Sequence, residues 1–203
     1  MATYSKTVPA TALISLQQVA ASAVVVGSAV GVTTALAAEV ACYFGRDNTS
    51  APTGGAKIRI EGSFSASGNR AWFPIHTWQS SIVAAVNQTV TATGHTHPGK
   101  ILTVGAATGL VAGDTTLVKN ATLANSEWGR ITAITASVDV NYEENFANDQ
   151  DNSNIYDQAQ IFPAMHVDLG GIARIRAVVD FASLAHNQTA IVEVLMNTLD
   201  SIA

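Results

Sequence analysis

The sequence predicts an all-β protein, and three observations lead to that fold class. Apolar and polar residues alternate over short runs: between Lys57 and Ser65, Ile58 and Ile60 alternate with charged residues, as in a strand with one wet face. Clusters of Gly, Asn, Pro and Asp separate such runs at intervals of about ten residues. No long segment has the helical period of about 3.6 residues, and only residues 80–86 would tolerate a helix. We therefore expect an antiparallel β-sandwich, either jelly-roll or immunoglobulin-like.

The chain divides into three parts. Residues 1–16 are expected to be an extended N-terminal arm, because Pro9 forbids a helix through that point. Residues 17–93 together with 156–203 are expected to form the sandwich, and residues 94–155 an inserted small β-barrel or meander that includes an acidic loop. Turns rich in Gly, Asn and Ser justify the individual strands. These are expected at 13–16, 23–26, 36–44, 57–65, 70–78, 80–93, 101–104, 116–118, 130–134, 160–167, 172–181 and 189–196.

Composition limits the possible partners. Charged residues make up 12% of the chain, against about 25% in an average soluble domain, and the mean hydropathy is +0.24. Interface cores are depleted in charge, so we expect other subunits to cover much of the surface. The alternative is a monomer with a neutral coat of Ser, Thr and Asn. The net charge of −5 and the absence of a basic run argue against a nucleic-acid partner.

The N-terminal region has the apolar character of a signal peptide but is interpreted here as buried strands. Polar residues such as Gln17 and Gln18 interrupt it, and no apolar run reaches the roughly 18 residues of a membrane span. We therefore expect no membrane partner. The single cysteine, Cys42, lies in an apolar strand-like stretch and is expected to be a reduced core thiol.

Two segments have metal-ligand chemistry. His95 and His97 are two residues apart and would share one face of an extended segment, although a third ligand is missing and Gly and Pro mark a polar connection. The loop from Asp149 to Asn154 has oxygen donors at alternating positions, but Gln160 stands where a calcium loop needs a bidentate Glu. We interpret both segments as structural and expect no metal ligand and no cofactor.

Signals for catalysis or sugar binding are weak. No nucleophile, zinc or phosphate-loop motif is present. Glu143 and Glu144 are adjacent, so on a strand they would face opposite ways and could not share acid–base work. Trp72, Trp78 and Trp128 could form a glycan-binding platform, but in hairpins they more often cover a core. We expect no catalytic residue.

Three stretches resemble structural proteins of tailed bacteriophages. The strand Ile101–Val104, the turn Gly-Leu-Val-Ala-Gly-Asp at 109–114 and Asn-Ser-Glu-Trp-Gly-Arg-Ile at 125–131 together resemble a module common in those proteins. The turn 65–69 followed by Trp-Phe-Pro-Ile at 72–75, and the hairpin from Leu169 to Leu195, resemble hairpins of phage β-sandwich domains.

The resemblance implies a non-enzymatic virion component. A capsid decoration or cement protein that stabilises the shell through subunit contacts is expected; a tail, neck or fibre-base protein, or a host-glycan-binding module, is the alternative. Its partners would be the major capsid protein, other virion proteins and itself, with a trimer as the first guess. The arm Thr7–Leu16 could add a strand to a neighbouring subunit, because strand 190–196 needs a cover if it lies at a sheet edge.

Overall fold

The chain is all-β, as the sequence predicts. A computed structural model describes residues 4–6, 10–68 and 72–202. Over these residues there are sixteen strands and one short 3₁₀ turn, and residues 80–86 form an irregular connection rather than a helix. The strands are β1 (Tyr4–Lys6), β2 (Thr11–Val19), β3 (Val24–Val26), β4 (Val30–Gly31), β5 (Ala37–Arg46), β6 (Lys57–Ser63), β7 (Trp72–Gln79), β8 (Asn87–His95), β9 (Ile101–Val104), β10 (Thr115–Lys119), β11 (Glu127–Thr135), β12 (Asp139–Tyr142), β13 (Asn154–Tyr156), β14 (Gln160–Asp168), β15 (Arg174–Asp180) and β16 (Ala190–Ile202).

The sandwich strands follow a nested antiparallel pairing. β2 pairs with β16, β3 and β4 with β15, β5 with β14, and β6 with β7. The pairs β16–β5 and β15–β6 then join these ladders into a first sheet, β2–β16–β5–β14, and a second sheet, β3–β15–β6–β7. In a jelly roll the first strand pairs with the last, the second with the one before the last, and so on inward. The pairing here has this topology. The structure therefore decides between the two sandwich types that the sequence left open.

One hydrophobic core fills the space between the two sheets. Phe44 of the first sheet meets Phe181, which directly follows β15, edge to face with ring centroids 6.2 Å apart, and Trp78 stacks on Phe162 at 5.7 Å. The alternation in β6 is confirmed, because Ile58 is fully buried in this core. Further core residues include Leu13, Val40, Cys42, Ile60, Ile175, Ala177, Val179, Val192, Val194 and Met196.

The insertion is a closed six-stranded barrel. Its strands have the order β8–β9–β12–β11–β10–β13, and β13 returns to β8, so the sheet has no free edge. Apolar side chains fill the interior, and Thr116 donates a hydrogen bond to the buried Tyr142 hydroxyl at 3.1 Å. The interior residues include Val90, Leu102, Val104, Leu110, Val118, Ile131, Val140, Phe146 and Ile155.

The barrel begins earlier than the expected boundary at residue 94. Its first strand starts at Asn87, and its last ends at Tyr156, where the two residues are direct cross-strand partners. The segment from His95 to Gly99, expected to be the connection into the insertion, is the end and turn of the β8–β9 hairpin. The alternation of polar and apolar residues in β8 would suit a strand of the sandwich or of the barrel. The sequence of β8 therefore does not show to which of the two it belongs.

The N-terminal segment is paired within its own chain. β16 lies between β2 and β5, so strand 190–196, which would have needed a cover at a sheet edge, does not lie at one. β2 provides the cover that we assigned to a neighbouring subunit; residues 7–9 lie outside the described residues. β1 also pairs with β16, and Tyr4 and Ile202 are direct partners. An extended arm is not needed to explain residues 11–16.

Two sheet edges carry features that oppose strand addition. β7 contains Pro74, opposite an irregularity in register between Ile60 and Glu61. β14 contains Pro163, with a register shift between Phe162 and Met165. Proline has no N–H to offer to a ladder, and bulges turn an edge away from a flat template. Strand exchange along these two edges is therefore disfavoured.

His186 is fully buried at one end of the sandwich core. Its ring centroid lies 4.5 Å from that of Phe181 and 6.0 Å from that of Phe44. Burial lowers the pKa of His186, the backbone of Gln188 opposes this shift, and the positive charge of Arg46 lowers the pKa further. The neutral imidazole is therefore favoured in the folded protein.

The first prediction concerns the independence of the sandwich. Replacing residues 87–156 by a short Gly/Ser linker should leave a soluble, cooperatively unfolding sandwich, because the ends to be joined are neighbours. Circular dichroism and urea unfolding measure this outcome, with Ile191→Thr added because the deletion uncovers that side chain. Deleting the β6–β7 hairpin, residues 57–79, is the matched control and should abolish folding. A barrel deletion that yields only aggregate would contradict the prediction.

The second prediction follows from His186. Its pKa is lower in the folded than in the unfolded state, so the unfolded chain binds more protons and stability decreases as pH falls below the ordinary value of 6.5. Urea unfolding should show a falling free energy of unfolding between about pH 7.5 and pH 5, and His186→Phe should reduce this slope. His166→Phe, on the exposed surface, serves as the control. An unchanged slope in His186→Phe would show the account to be wrong.

Candidate functional site at the barrel–sandwich junction

An apolar cluster seats the barrel on the outer face of the first sheet. Leu117 and Trp128 of the barrel pack with Ile191 of β16 and Leu16 of β2. Gly45 of β5 permits this approach, since a Cβ at that position would come within 2.7 Å of the Trp128 ring. Ile191 and Glu193 of β16 thus face the barrel, while Val192 and Val194 enter the sandwich core.

Trp128 is the central side chain of the junction. Its ring stacks on Tyr43 with centroids 5.8 Å apart, and its Nε1–H donates to Glu193 Oε2 at 3.3 Å. Burial raises the pKa of Glu193, and the hydrogen bond from Trp128 opposes that shift. An indole with both an apolar face and a satisfied N–H suits a half-buried contact between two bodies.

Asp47 links three segments at the same junction. Its buried carboxylate accepts hydrogen bonds from Lys119 Nζ at 2.7 Å, from Thr189 Oγ1 at 2.6 Å and from the Gln18 amide. Burial alone would raise the pKa of Asp47, but the hydrogen bonds from Lys119 and Thr189 and the charge of Lys119 lower it overall. The carboxylate is therefore ionised, and it ties the barrel to the end of β5.

The two segments that connect the sandwich and the barrel, residues 80–86 and 157–159, are hydrogen-bonded to each other and to the sandwich. The Ser81 N–H donates to Gln160 Oε1 at 2.7 Å, the Val86 N–H donates to the Asp157 carboxylate, and the Arg46 guanidinium donates to the Val83 carbonyl. These bonds, with the apolar cluster and Asp47, hold the barrel in one orientation on the sandwich.

A cleft of about 200 Å³ lies beside the junction. Its walls include Trp128, Arg130, Phe146 and Ile161. Glu143 and Glu144 also line it; they lie in a bend after β12 rather than on a strand. Within the described residues neither carboxylate has a hydrogen bond or ion pair, and neither does the Arg130 guanidinium. The cleft offers charge of both signs beside an aromatic ring, but no nucleophile paired with a base.

The two histidines that were considered as a metal pair and expected to be structural have different contacts. His95 is buried, and its Nδ1 accepts the Gln150 N–H at 3.0 Å while its Nε2 lies 3.2 Å from the Gly99 carbonyl. A carbonyl only accepts, so Nε2 is the donor to Gly99, and an Asp149 carboxylate oxygen lies 3.4 Å from Nδ1. His97 is exposed and contacts the Ala147 carbonyl at 3.1 Å. Both ring nitrogens of His95 are thus engaged in holding backbone.

The acidic loop is anchored rather than simply solvated. Gln150 is fully buried, and its Nε2 donates to the Asn125 carbonyl at 2.9 Å and to Glu127 Oε1 at 2.8 Å. Asp151 accepts the His95 N–H at 2.8 Å. The Asp151 N–H in turn lowers the pKa of Asp149. These oxygens accept from the loop and its support, and do not converge on one point as calcium ligands do.

Other chemistry-bearing groups are also accounted for. The described residues contain no group of three or more His, Cys, Asp or Glu side chains placed to hold a metal. Cys42 is fully buried, and burial raises the pKa of its thiol, so the reactive thiolate is disfavoured. Among those same residues, no helix is long and apolar enough to span a bilayer.

The three tryptophans do not share a surface. Trp78 belongs to the sandwich core, and Trp128 lies in the junction. Trp72 begins β7 and packs beneath two guanidinium groups, 4.1 Å from Arg176 and 5.0 Å from Arg174. A common glycan platform therefore does not form from these three side chains.

Comparisons with known proteins place no relative beside this chain. It matches no family model, no curated protein and no solved structure. The functional argument therefore depends on the residues themselves.

Sequence reasoning missed the residues that join the two bodies. Asp47 and Lys119 are 72 positions apart, and neither stands in a recognisable motif. The one signal available was Gly45 next to a strand end, since glycine inside a strand often marks close approach of another backbone or side chain. No sequence pattern marks Gln150, because the role of a buried amide depends on hydrogen-bond partners that only the tertiary structure brings to it.

The third prediction tests the Asp47–Lys119 contact. Lys119→Met keeps the aliphatic stem but leaves the buried carboxylate of Asp47 without its cation, so the free energy of unfolding should fall by about 1–3 kcal/mol. Chemical denaturation measures the loss, and Asp47→Asn in the same background should recover part of it. Lys100→Met, an exposed barrel lysine with no partner in the described residues, is the control. Equal effects of the two lysine substitutions would contradict the assignment.

Proposed function

We propose that this protein is a non-enzymatic structural component of a tailed-phage particle, a decoration or cement protein on the capsid. The observation that carries the proposal is the surface. Only 12% of the residues are charged, yet large apolar side chains are exposed, including Phe64 at 66%, Val111 at 60% and Val26 at 54%. Such a surface fits a chain whose neighbours cover it in an assembly.

The polar clusters support a structural role. His95, Glu127 and Gln150 hold the acidic loop, and Asp47 holds the barrel. Each of these groups has its hydrogen-bonding capacity directed at the protein itself, whereas a catalytic group must be free to reach a reacting atom. The mixed-charge cleft beside Trp128 is a contact surface in this proposal.

The resemblance and the topology add support of a weaker kind. The residues that resemble a phage module form β9, the turn before β10 and the start of β11 in the barrel. The resembling segment at 72–75 lies in β7, whereas the expected hairpin from Leu169 to Leu195 is not a hairpin, since its strands β15 and β16 lie in different sheets. Jelly rolls occur in viral capsid proteins, but also in lectins and cupins, so the fold by itself does not assign a function.

The proposed partners are the major capsid protein and further copies of this chain, with three copies as the first guess. Symmetry of a shell equally permits five or six. A tail, neck or fibre-base position is the alternative within the particle. The separation of the three tryptophans makes the glycan-binding alternative less well supported than either.

The fourth prediction is the copy number. Quantitative mass spectrometry of purified particles of the phage that encodes this protein should give on the order of hundreds of copies, because a decoration protein repeats with the shell lattice. The major capsid protein in the same sample is the internal standard. A dozen copies or fewer would place the protein in the neck or tail, and its absence from purified particles would overturn the proposed function.

A further inference from the structure

Charge is distributed unevenly between the two bodies. Residues 87–156, which form the barrel, include three basic and seven acidic residues, a net charge of −4 out of −5 for the chain. The outer face of the second sheet has the opposite sign. Four basic residues and two carboxylates alternate there along β6 and β15, which gives +2. They are Lys57, Arg59, Glu61, Arg174, Arg176 and Asp180.

We call this outer surface of β6 and β15, with its four basic side chains and two carboxylates, the basic face. Its carboxylates are shared: Glu61 pairs with Arg176 at 2.8 Å and with Arg59 at 3.3 Å, and Asp180 pairs with Arg59 at 3.1 Å. Lys57 has no partner among the described residues. Positive charge therefore exceeds the negative charge available within the face.

The basic face is held in place by an aromatic ring. Arg174 and Arg176 both lie over Trp72, and Arg174 also donates to the carbonyls of Ser65 and Gly68. Two exposed valines of β3, Val24 and Val26, flank the face on the same sheet. A fixed cationic surface with an apolar border loses little side-chain entropy when a partner binds.

The acidic counterpart is the segment from Glu143 to Asp149, here called the acidic segment. Glu143, Glu144 and Asp149 are exposed. Neither glutamate side chain has a hydrogen bond or ion pair in the described part of the chain. The Asp149 carboxylate accepts the Asp151 N–H at 3.1 Å and lies 3.4 Å from Nδ1 of His95. The barrel thus presents two glutamate carboxylates without an ion-pair partner to solvent, with Arg130 in the same cleft.

The two surfaces cannot meet within one molecule. The barrel packs on the outer face of the first sheet, through Trp128 and Ile191. The basic face is the outer face of the second sheet, on the far side of the sandwich core. A barrel held in this orientation points away from the basic face of its own chain.

We propose that the protein self-associates head to tail, with the acidic segment of one copy docked on the basic face of the next. This inference rests on the proposed function, since it specifies how one virion subunit would meet its neighbour. Because the two surfaces differ, the contact is heterologous and produces a closed ring or an extending array. Opposite charges would steer the encounter and set its orientation.

Charge-reversal variants of the full chain test the contact. One variant carries Glu143→Lys and Glu144→Lys, and the other carries Lys57→Glu and Arg174→Glu. In light scattering at about 0.02 M NaCl, where screening is weak, the unmodified protein should exceed 21.0 kDa, and at about 0.5 M it should dissociate. Each variant alone should associate about tenfold more weakly or worse.

An equimolar mixture of the two variants is the decisive sample. The lysines of one variant then face the glutamates of the other at both surfaces, so association should return. Asp168→Lys, which reverses one charge at the far end of β14, is the control and should leave association unchanged. The neutral variants Glu143→Gln/Glu144→Gln and Lys57→Met replace any reversed variant whose circular dichroism shows misfolding, and each should weaken association.

Several outcomes would overturn the inference: a salt-independent 21.0 kDa species for the unmodified protein, unchanged association of either variant, or a mixture that stays monomeric. The particle copy number tests the proposed function separately. High copy number without self-association would reject only the head-to-tail contact. Self-association by a protein absent from particles would reject only the virion assignment.

Discussion

The pairing of β2 with β16 is the interaction on which the rest of the molecule depends. It is the outermost of the nested pairs, and it leaves β16 with ladder partners on both sides. The side chains of β16 then serve two bodies: Val192 and Val194 enter the sandwich core, while Ile191 and Glu193 meet the barrel. A slip of one residue would exchange these faces, so both hydrophobic clusters specify the same register.

Buried polar groups, together with the apolar clusters, fix the arrangement of the loops and of the two bodies. The buried amide of Gln150 and the buried ring of His95 each satisfy backbone or side-chain groups that would otherwise be costly to remove from water. Asp47 does the same at the junction. Networks of this kind favour a single arrangement, because a shifted loop would leave several donors and acceptors unpaired at once.

The sequence predicted the sandwich strands well, because the alternation of apolar and polar residues that marks a strand is a local pattern. β6 and β15 alternate cleanly, since one face is buried and the other is wet. β12 and β13 escaped prediction: they have four and three residues and lie among acidic residues, and β13 pairs only with strands distant in sequence. The position of β2 was missed for a similar reason, because a strand that pairs with the far end of the chain gives no local sign of it.

The candidate site was less predictable than the fold. Its residues were chosen by type, as histidines, carboxylates and tryptophans, whereas their roles depend on neighbours that only the tertiary structure supplies. Trp128 was correctly singled out but serves a junction between two bodies that the sequence did not locate. The contact between Asp47 and Lys119 depends on the seating of the barrel, which no local pattern encodes.

The pairing of Tyr4 with Ile202 has a mechanical consequence. A load applied between these two residues would pull apart the adjacent ends of antiparallel strands, so the ladder would open one pair at a time rather than shear as a whole. The barrel would stay outside that path of force until β5 and β14 separated, since both its connections leave the sandwich between β7 and β14. Under tension the sandwich would then unfold from its outermost strand pair inward, and the barrel would come under load late.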